Sequence, residues 1–352
     1  MQNHNPTVLL VAHAYILPYK VLFCLWDAGV RNVYVLANRR GARLWYTRFS
    51  RNVFLTDTNF DGSDPEKALG EINRYVKKLG IDVVLPGDQY STRLLTMIQH
   101  QLATECFPLP DAATYNRLYN KWEFFGLCQQ LHIRCPETTL FENTAGLLEK
   151  VRLGTIAYPF ICKPVDLEAS IGVVTILRDK AVEQIKEIHY TPVLVQQFIE
   201  GEDIGASVYC ENGVIKHFIA HRFERQLYQT FLNDEIYSTI ATVMGSLKVS
   251  GVFNFDMRLT PEGDIYYLEC NPRFFLKIVM SALAGINFVA AGLRLPTPIQ
   301  LKDGTTVRMP RLVLRDLFTK PYRISREDIR TMGKLVADPI TLCLRMAKAP
   351  VV

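Results

Sequence analysis

A chain of 352 residues is longer than one ordinary hydrophobic core serves, so its length predicts two or three packed units. With 49% hydrophobic and 21% charged residues and no block of like charge, the composition excludes a largely disordered chain. The net charge of +5 tolerates an anionic small ligand, yet Lys and Arg are not gathered into the stripe that nucleic-acid binding requires.

The N-terminal part alternates between strand and helix patterns. TVLLVA (7–12) reads as a buried strand and YKVLFCLWDAG as a helix ended by Gly29. NVYVLAN (32–38) is a second strand, PEKALGEINRYVKKLG (65–80) a helix opened by proline and closed by glycine, and IDVVLP (81–86) a third strand. This alternation predicts a parallel sheet covered by helices. The turn after the first strand, HAYILP, lacks the glycines that let a backbone approach a pyrophosphate, which argues against dinucleotide binding there. His13 and Asp88 each follow a predicted strand, where α/β sheets gather ligands, and are candidates for an acceptor site.

A proline-bearing joint, CFPLPDAATYN (106–116), predicts a domain boundary. One helix is expected over NRLYNKWEFFGLCQQLHI (116–133). Strands are expected in AYPFICKPV (157–165), GVVTIL (172–177), PVLVQQFIE (192–200) and IGASVYCENGVIKHFIAHRF (204–223), the last folded at ENG into a hairpin. DEIYSTIATVMGSLKVSG (234–251) has helical spacing. The longest apolar stretch, IVMSALAGINFVAAGL (278–293), is short for a membrane span and holds Asn287 and two glycines, so it predicts one buried helix. The first residues lack the basic region and apolar core of a signal peptide. The eight cysteines form no CxxC pair and no zinc spacing, so reduced, mostly buried thiols in a cytoplasmic protein are expected.

GVFNFDMRL and IYYLECN flank the turn sequence TPEGD and predict an antiparallel hairpin. If Thr260 and Ile265 close a four-residue turn, Asp256 faces Glu269 and Asn254 faces Asn271. Phe253, Phe255, Met257 and Leu259 then share an apolar face with Tyr266, Leu268 and Cys270. Two carboxylates opposed across a ladder repel, and a hard divalent cation would offset that repulsion. The same face is also that of an ordinary solvated hairpin whose acids are neutralised by Arg258 and Arg273, and the hairpin alone does not choose between them. Lys163 ends an apolar strand, where an ammonium requires an anionic partner or a route to the surface.

In order, NKWEFF, FICKP, VQQFIEGED, GVFNFDMR and YLECNPR resemble the motifs of the ATP-grasp superfamily, in the branch with biotin carboxylase and carbamoyl phosphate synthetase, over roughly residues 110–280. The resemblance implies an α/β and α+β multidomain fold. Its parts would be a Rossmann-like pre-ATP-grasp domain (1–107), an ATP-grasp subdomain A with the phosphate-binding lysines (108–195), a subdomain B with the Mg/ATP platform (196–320) and a C-terminal extension (321–352). It implies that Lys121 and Lys163 contact the ATP phosphates and that Gln196 approaches the adenine amino edge. Phe198 and Ile199 would line the hinge, Ile161 would belong to the nucleotide site, Leu268 would pack under the purine, and Asp203 or Glu202 would hold the ribose. Asp256, Glu269 and Asn271 are the implied ligands of two Mg2+ ions, with Mn2+ as a substitute, and Arg273 is the implied partner of the transferring phosphoryl group.

Two departures stand out. The loop VDLEASIG (165–172) is poor in the Gly and Ser usual after the second lysine, and FFLK (274–277) replaces the family's small residues, leaving Lys277 to an anionic substrate. The implied reaction joins a carboxylate to an amine through an acyl phosphate, releasing ADP. Arg222 or Arg225 in HRFERQ (221–226) would lie near the γ-phosphate, although that segment also reads as a charged surface strand. An amino acid or short peptide is the expected substrate and a dimer the expected oligomer, with no nucleic acid and no membrane. A biotin carboxylase or carbamoyl phosphate type of enzyme, or a protein that binds ATP without ligating anything, are the alternatives.

Overall fold

The computed structural model describes residues 5–167, 171–297 and 303–339. The chain divides into two units: Met1–Ala112, Ser207–Asn254 and Pro272–Val352 form the first, and Ala113–Ala206 with Phe255–Asn271 form the second.

The first unit opens with β1 (Val8–Ala12), α1 (Ile16–Asp27), β2 (Val33–Asn38), β3 (Asn52–Thr56), α2 (Pro65–Leu79), β4 (Val83–Pro86), α3 (Gln89–Ile98) and β5 (Glu105–Cys106). The strands form a parallel sheet in the order β3-β2-β1-β4-β5. β1 is buried throughout because both faces are covered. Val8, Leu10 and Ala12 enter one core with Leu22 and Leu25 of α1, while Leu9 and Val11 enter another with Ile72 and Val76 of α2 and Leu94 and Leu95 of α3. Helix α2 starts on the Asp64 cap with Pro65 in its first turn and ends at Gly80 in the left-handed conformation, as its sequence predicts.

Next come α4 (Ala112–Tyr119), α5 (Lys121–Gln130), β6 (Thr138–Phe141), α6 (Thr144–Arg152), β7 (Phe160–Lys163), β8 (Val174–Ile176), α7 (Ala181–Lys186) and β9 (Val193–Gln197). The single helix expected over 116–133 is two helices. Asn120 takes an extended backbone and its Oδ1 caps α5, accepting the Trp122 and Glu123 amides at 2.9 and 3.2 Å. Strands β6-β9-β7-β8 form an antiparallel sheet in that order. Its core is Phe160, Cys162, Ile176, Val193 and Val195 against Leu147 of α6 and Ile185 of α7.

The chain continues through β10 (Glu202–Glu211), β11 (Val214–Glu224), β12 (Leu227–Phe231), α8 (Asp234–Leu247), β13 (Gly251–Leu259), β14 (Ile265–Asn271), α9 (Ile278–Ala284), α10 (Phe288–Gly292), β15 (Thr306–Arg308), α11 (Pro310–Thr319) and α12 (Arg326–Leu335). Strands follow the order β14-β13-β10-β11-β12-β15, and β10 and β13 each run through the boundary between the units. The apolar stretch 278–293 is not one helix. Gly285, at φ +124°, ends α9, and the Asn287 side chain caps α10. No helix among the described residues is long and apolar enough to cross a membrane. Cys24, Cys128, Cys162, Cys210 and Cys270 are buried free thiols, Cys106 and Cys135 are half-buried, and Cys343 lies outside the described residues.

Candidate functional site

The second unit brings together most of the predicted site. In β7, Phe160 and Cys162 face the core, so alternation puts Ile161 and Lys163 on the opposite face. The antiparallel register aligns Ile161 with Gln196 of β9, and Gln196 with Thr138 of β6. This row produces a relay. The Lys163 ammonium donates to Gln196 Oε1 at 2.8 Å, Gln196 Nε2 donates to Thr138 Oγ1 at 3.0 Å, and that hydroxyl donates to the Pro136 carbonyl at 2.8 Å. Thr138 went unnoticed in the sequence, although the β-branched pair in TTLF is a strand signal.

Lys163 is 6% exposed. Burial, only partly opposed by Glu269 and Asp256, pulls its pKa from 10.5 to about 8. Lys121 is the first residue of α5, also buried. Its backbone amide donates to the Val165 carbonyl at 2.9 Å and its ammonium to the Leu167 carbonyl at 2.7 Å, and it pairs with Glu269 Oε2 at 3.3 Å. The two lysines, far apart in sequence, thus face one carboxylate.

That carboxylate belongs to the β13–β14 hairpin, whose turn is tighter than the sequence predicts. Thr260 N donates to the Asp264 carbonyl at 2.9 Å and Gly263 N to the Thr260 carbonyl at 3.0 Å, with Gly263 at φ +95°. Glycine accepts that backbone without strain, so the chain turns one residue earlier than the expected Thr260–Ile265 closure. In consequence Tyr267, not Tyr266, is buried against Phe255, with ring centroids 6.3 Å apart, and Tyr266 lies under the Arg134 guanidinium. Ile265 and Tyr267 are buried, and the next buried position is Cys270, so the alternation slips one residue within β14. The slip restores the polar set: Asn271 Nδ2 donates to Asp256 Oδ2 at 3.1 Å and to Glu269 Oε1 at 3.2 Å. Asn254 accepts the Ser207 hydroxyl at 2.9 Å within the first unit.

Burial alone would raise the Glu269 pKa. Lys121, Lys163 and hydrogen bonds to Asp256 and Asn271 outweigh it and hold the carboxyl below its ordinary range. Two carboxylates and one amide converging on a point are an oxygen-rich set that suits Mg2+, provided the Asn271 amide presents its oxygen. Among the described residues no three His, Cys, Asp or Glu side chains converge, so the amide and ligand oxygens would complete any such coordination.

After β9 the chain leaves the sheet through residues 198–200 and turns at Gly201, φ +153°. A Cβ there would lie 2.2 Å from the Leu259 carbonyl oxygen, so only glycine fits. Arg258 braces the turn, donating to the Gly201 carbonyl at 3.0 Å and pairing with Asp203 at 3.0 Å. Phe198, Ile199, Glu202 and Leu268 are half-buried and Asp203 is exposed. Residues 168–170 of the predicted phosphate-covering loop lie outside the described residues. Its end is tethered by the Tyr190 hydroxyl, which donates to the Gly172 carbonyl at 2.7 Å.

The remaining candidates belong to the first unit. Arg273 is buried and donates to the Phe274 carbonyl at 2.9 Å. Arg222 lies 5.1 Å from the Phe231 ring, and exposed Lys277 lies 5.1 Å from the Phe223 ring. Arg225 sits at the exposed β11–β12 turn at φ +48° and pairs with its neighbour Glu224 at 3.0 Å. Asp88 is occupied structurally: it caps α3 through the Ser91 amide at 2.9 Å and accepts the His13 and Ala14 amides at 2.8 and 2.7 Å. His13 Nδ1 in turn meets Asn38 Nδ2 at 3.0 Å and the Phe60 amide at 3.3 Å. This pair fastens the end of β1 to its neighbours, a role its sequence position did not reveal.

Residues 189–311 match the family described as ATP-grasp in the biosynthetic pathway with Ter operon. No curated protein matches the sequence. Among solved structures, the biotin carboxylase domain of Hydrogenobacter thermophilus 2-oxoglutarate carboxylase, solved with MgADP, ADP and bicarbonate, superposes with a TM-score of 0.63 at 12% identity, covering 83% of this chain and 70% of that one. The L-amino acid ligase of Bacillus licheniformis gives 0.62 at 18% identity, covering 84% and 75%. The N5-carboxyaminoimidazole synthetase of Staphylococcus aureus gives 0.63 at 12% identity, covering 90% and 86%. These likenesses show that the chain shares the fold of these structures, with a parallel α/β sheet at its N-terminus.

Proposed function

We propose that this protein is an ADP-forming ligase that joins a small carboxylate to an amine through an acyl phosphate. The observation that carries the reading is the convergence of Lys121 and Lys163 on Glu269, beside the Asp256–Asn271 pair. Two buried ammonium groups and two carboxylates neutralise one another in the free protein. Such a set is costly to bury for stability alone, and it provides both signs of charge that a metal–triphosphate complex requires.

In this reading Asp256, Glu269 and Asn271 hold Mg2+, which supplies neutralisation of phosphate charge. Lys121 and Lys163 bind the phosphates, and the Gln196–Thr138 relay fixes the Lys163 ammonium. The hinge from Phe198 to Asp203 contacts the base and ribose, with Ile161 and Leu268 against the purine. An oxygen of the substrate acid attacks the γ-phosphorus as the bond to the bridging oxygen breaks, releasing ADP. The amine then attacks the acyl carbon and phosphate leaves. Arg273 is assigned to the transferring phosphoryl group, with Arg222 as a second donor. The L-amino acid ligase among the similar structures supports an amino acid or short peptide as substrate.

The test is nucleotide turnover with Mg-ATP, with and without pooled amino acids, small carboxylic acids and bicarbonate, beside Glu269→Gln. ADP that requires a pool member and is lost in the variant is expected. AMP as product, or ADP release indifferent to both pool and variant, would refute the proposal.

A further inference from the structure

In the first unit's parallel sheet the strand order reverses between β1 and β4, and the carboxyl ends of those strands form the crevice where such sheets take ligands. His13 follows β1 there and is 3% exposed. Its hydrogen-bond partners fix its tautomer. The Arg40 amide donates to Asn38 Oδ1 at 3.0 Å, so that side chain turns its amide nitrogen toward His13 Nδ1, also at 3.0 Å. The Phe60 amide meets the same ring nitrogen at 3.3 Å. Both neighbours are donors, so Nδ1 accepts and the hydrogen of the neutral ring sits on Nε2. Nε2 has no hydrogen-bond partner among the described residues and is not one of their sealed, unpartnered atoms, so this oriented N–H donor opens to solvent.

The same hydrogen bonds tether residues of both charges beside the ring. Asn38 leads into the 3-10 segment Arg39–Tyr46, in which Arg39 pairs with Asp57 while exposed Arg40 forms no ion pair among the described residues. Phe60 leads into half-buried Asp61, whose Oδ1 accepts the Ser63 amide and hydroxyl at 3.0 and 2.6 Å. Burial pulls the His13 pKa below its ordinary value, Asp88 and Asp61 oppose that shift and Arg40 assists it. Asp88 is already committed to the amides of His13, Ala14 and Ser91. Tyr90, 39% exposed, lays its ring against His13 with centroids 4.7 Å apart. We propose that this crevice binds a free α-amino acid: its carboxylate accepts from His13 Nε2–H and pairs with Arg40, its ammonium pairs with Asp61, and its side chain meets the Tyr90 ring. Only the use made of the bound amino acid rests on the ligase reading, because the site itself requires no nucleotide.

The experiment uses the full chain, labelled with heavy nitrogen in its histidine rings, at neutral pH without nucleotide. The common L-amino acids are added as a pool and then singly. The free protein is expected to show His13 as the neutral Nε2–H tautomer, and at least one amino acid to shift its ring signals saturably. Removing one charge of that ligand, as the methyl ester or the N-acetyl derivative, is expected to weaken binding about tenfold, and Arg40→Gln and Asp61→Asn to do the same. Calorimetric binding to wild type and to those two variants carries the test if His13→Gln, used to assign the ring, fails to fold. An imidazolium or Nδ1–H ring, no saturable binding of any amino acid by folded protein, or derivatives that bind as tightly as the parent would each overturn the proposal. Saturable binding without amino-acid-dependent ADP would sink the ligase reading and leave this site standing. ADP release with an unchanged amino-acid KM in both variants would do the reverse.

Discussion

Lys163→Met, studied without nucleotide and in the presence of a chelator, isolates the cost of the buried ammonium. The ordinary lysine value of 10.5 and the folded value of about 8 differ by an amount equivalent to roughly 3 kcal/mol of preference for the neutral form. The sign follows from proton counts. Below about pH 8 the folded and unfolded lysines are both charged, and stability carries no slope from this group. Between about 8 and 10.5 the unfolded chain binds more protons, so stability rises with pH and levels off above the unfolded value. Wild type minus variant, measured by urea unfolding across pH 7–11, is therefore expected to move in favour of the wild type by up to about 3 kcal/mol, since other titrations cancel in the difference. A flat difference would refute the claim that Lys163 is held charged against its environment.

Three further outcomes follow from the geometry. Thr138→Val removes the acceptor for buried Gln196 Nε2; a loss of about 1–3 kcal/mol and a weaker ATP affinity by equilibrium binding are expected, with Thr138→Ser restoring both. Gly201→Ala forces a methyl against the Leu259 carbonyl, so thermal unfolding should report a loss of about 2–4 kcal/mol. Asn120→Ala deletes the cap that starts α5 at Lys121; about 1 kcal/mol of stability should be lost by the same measurement.

The β1 pattern was legible because a strand covered on both faces must be apolar throughout, and α2 because proline and glycine mark its ends. The polar trio was legible as chemistry before its geometry was, since Asp256, Glu269 and Asn271 are of one kind and fall on one predicted face. Their route to convergence was not. Period-two reasoning cannot foresee a one-residue slip, and the tight turn at Gly263 and the slip in β14 offset one another to bring the predicted neighbours together. Asn120 was hidden because an amide inside a helical pattern signals a break only when its side chain finds the following amides.

The central claim is that the platform transfers a phosphoryl group to a carboxylate, and the most direct measurement follows oxygen. With an activating acid labelled by heavy oxygen in its carboxyl group, turnover with Mg-ATP and an amine is predicted to place one labelled oxygen in the released inorganic phosphate. Phosphate without label, or label recovered in AMP, would contradict the account.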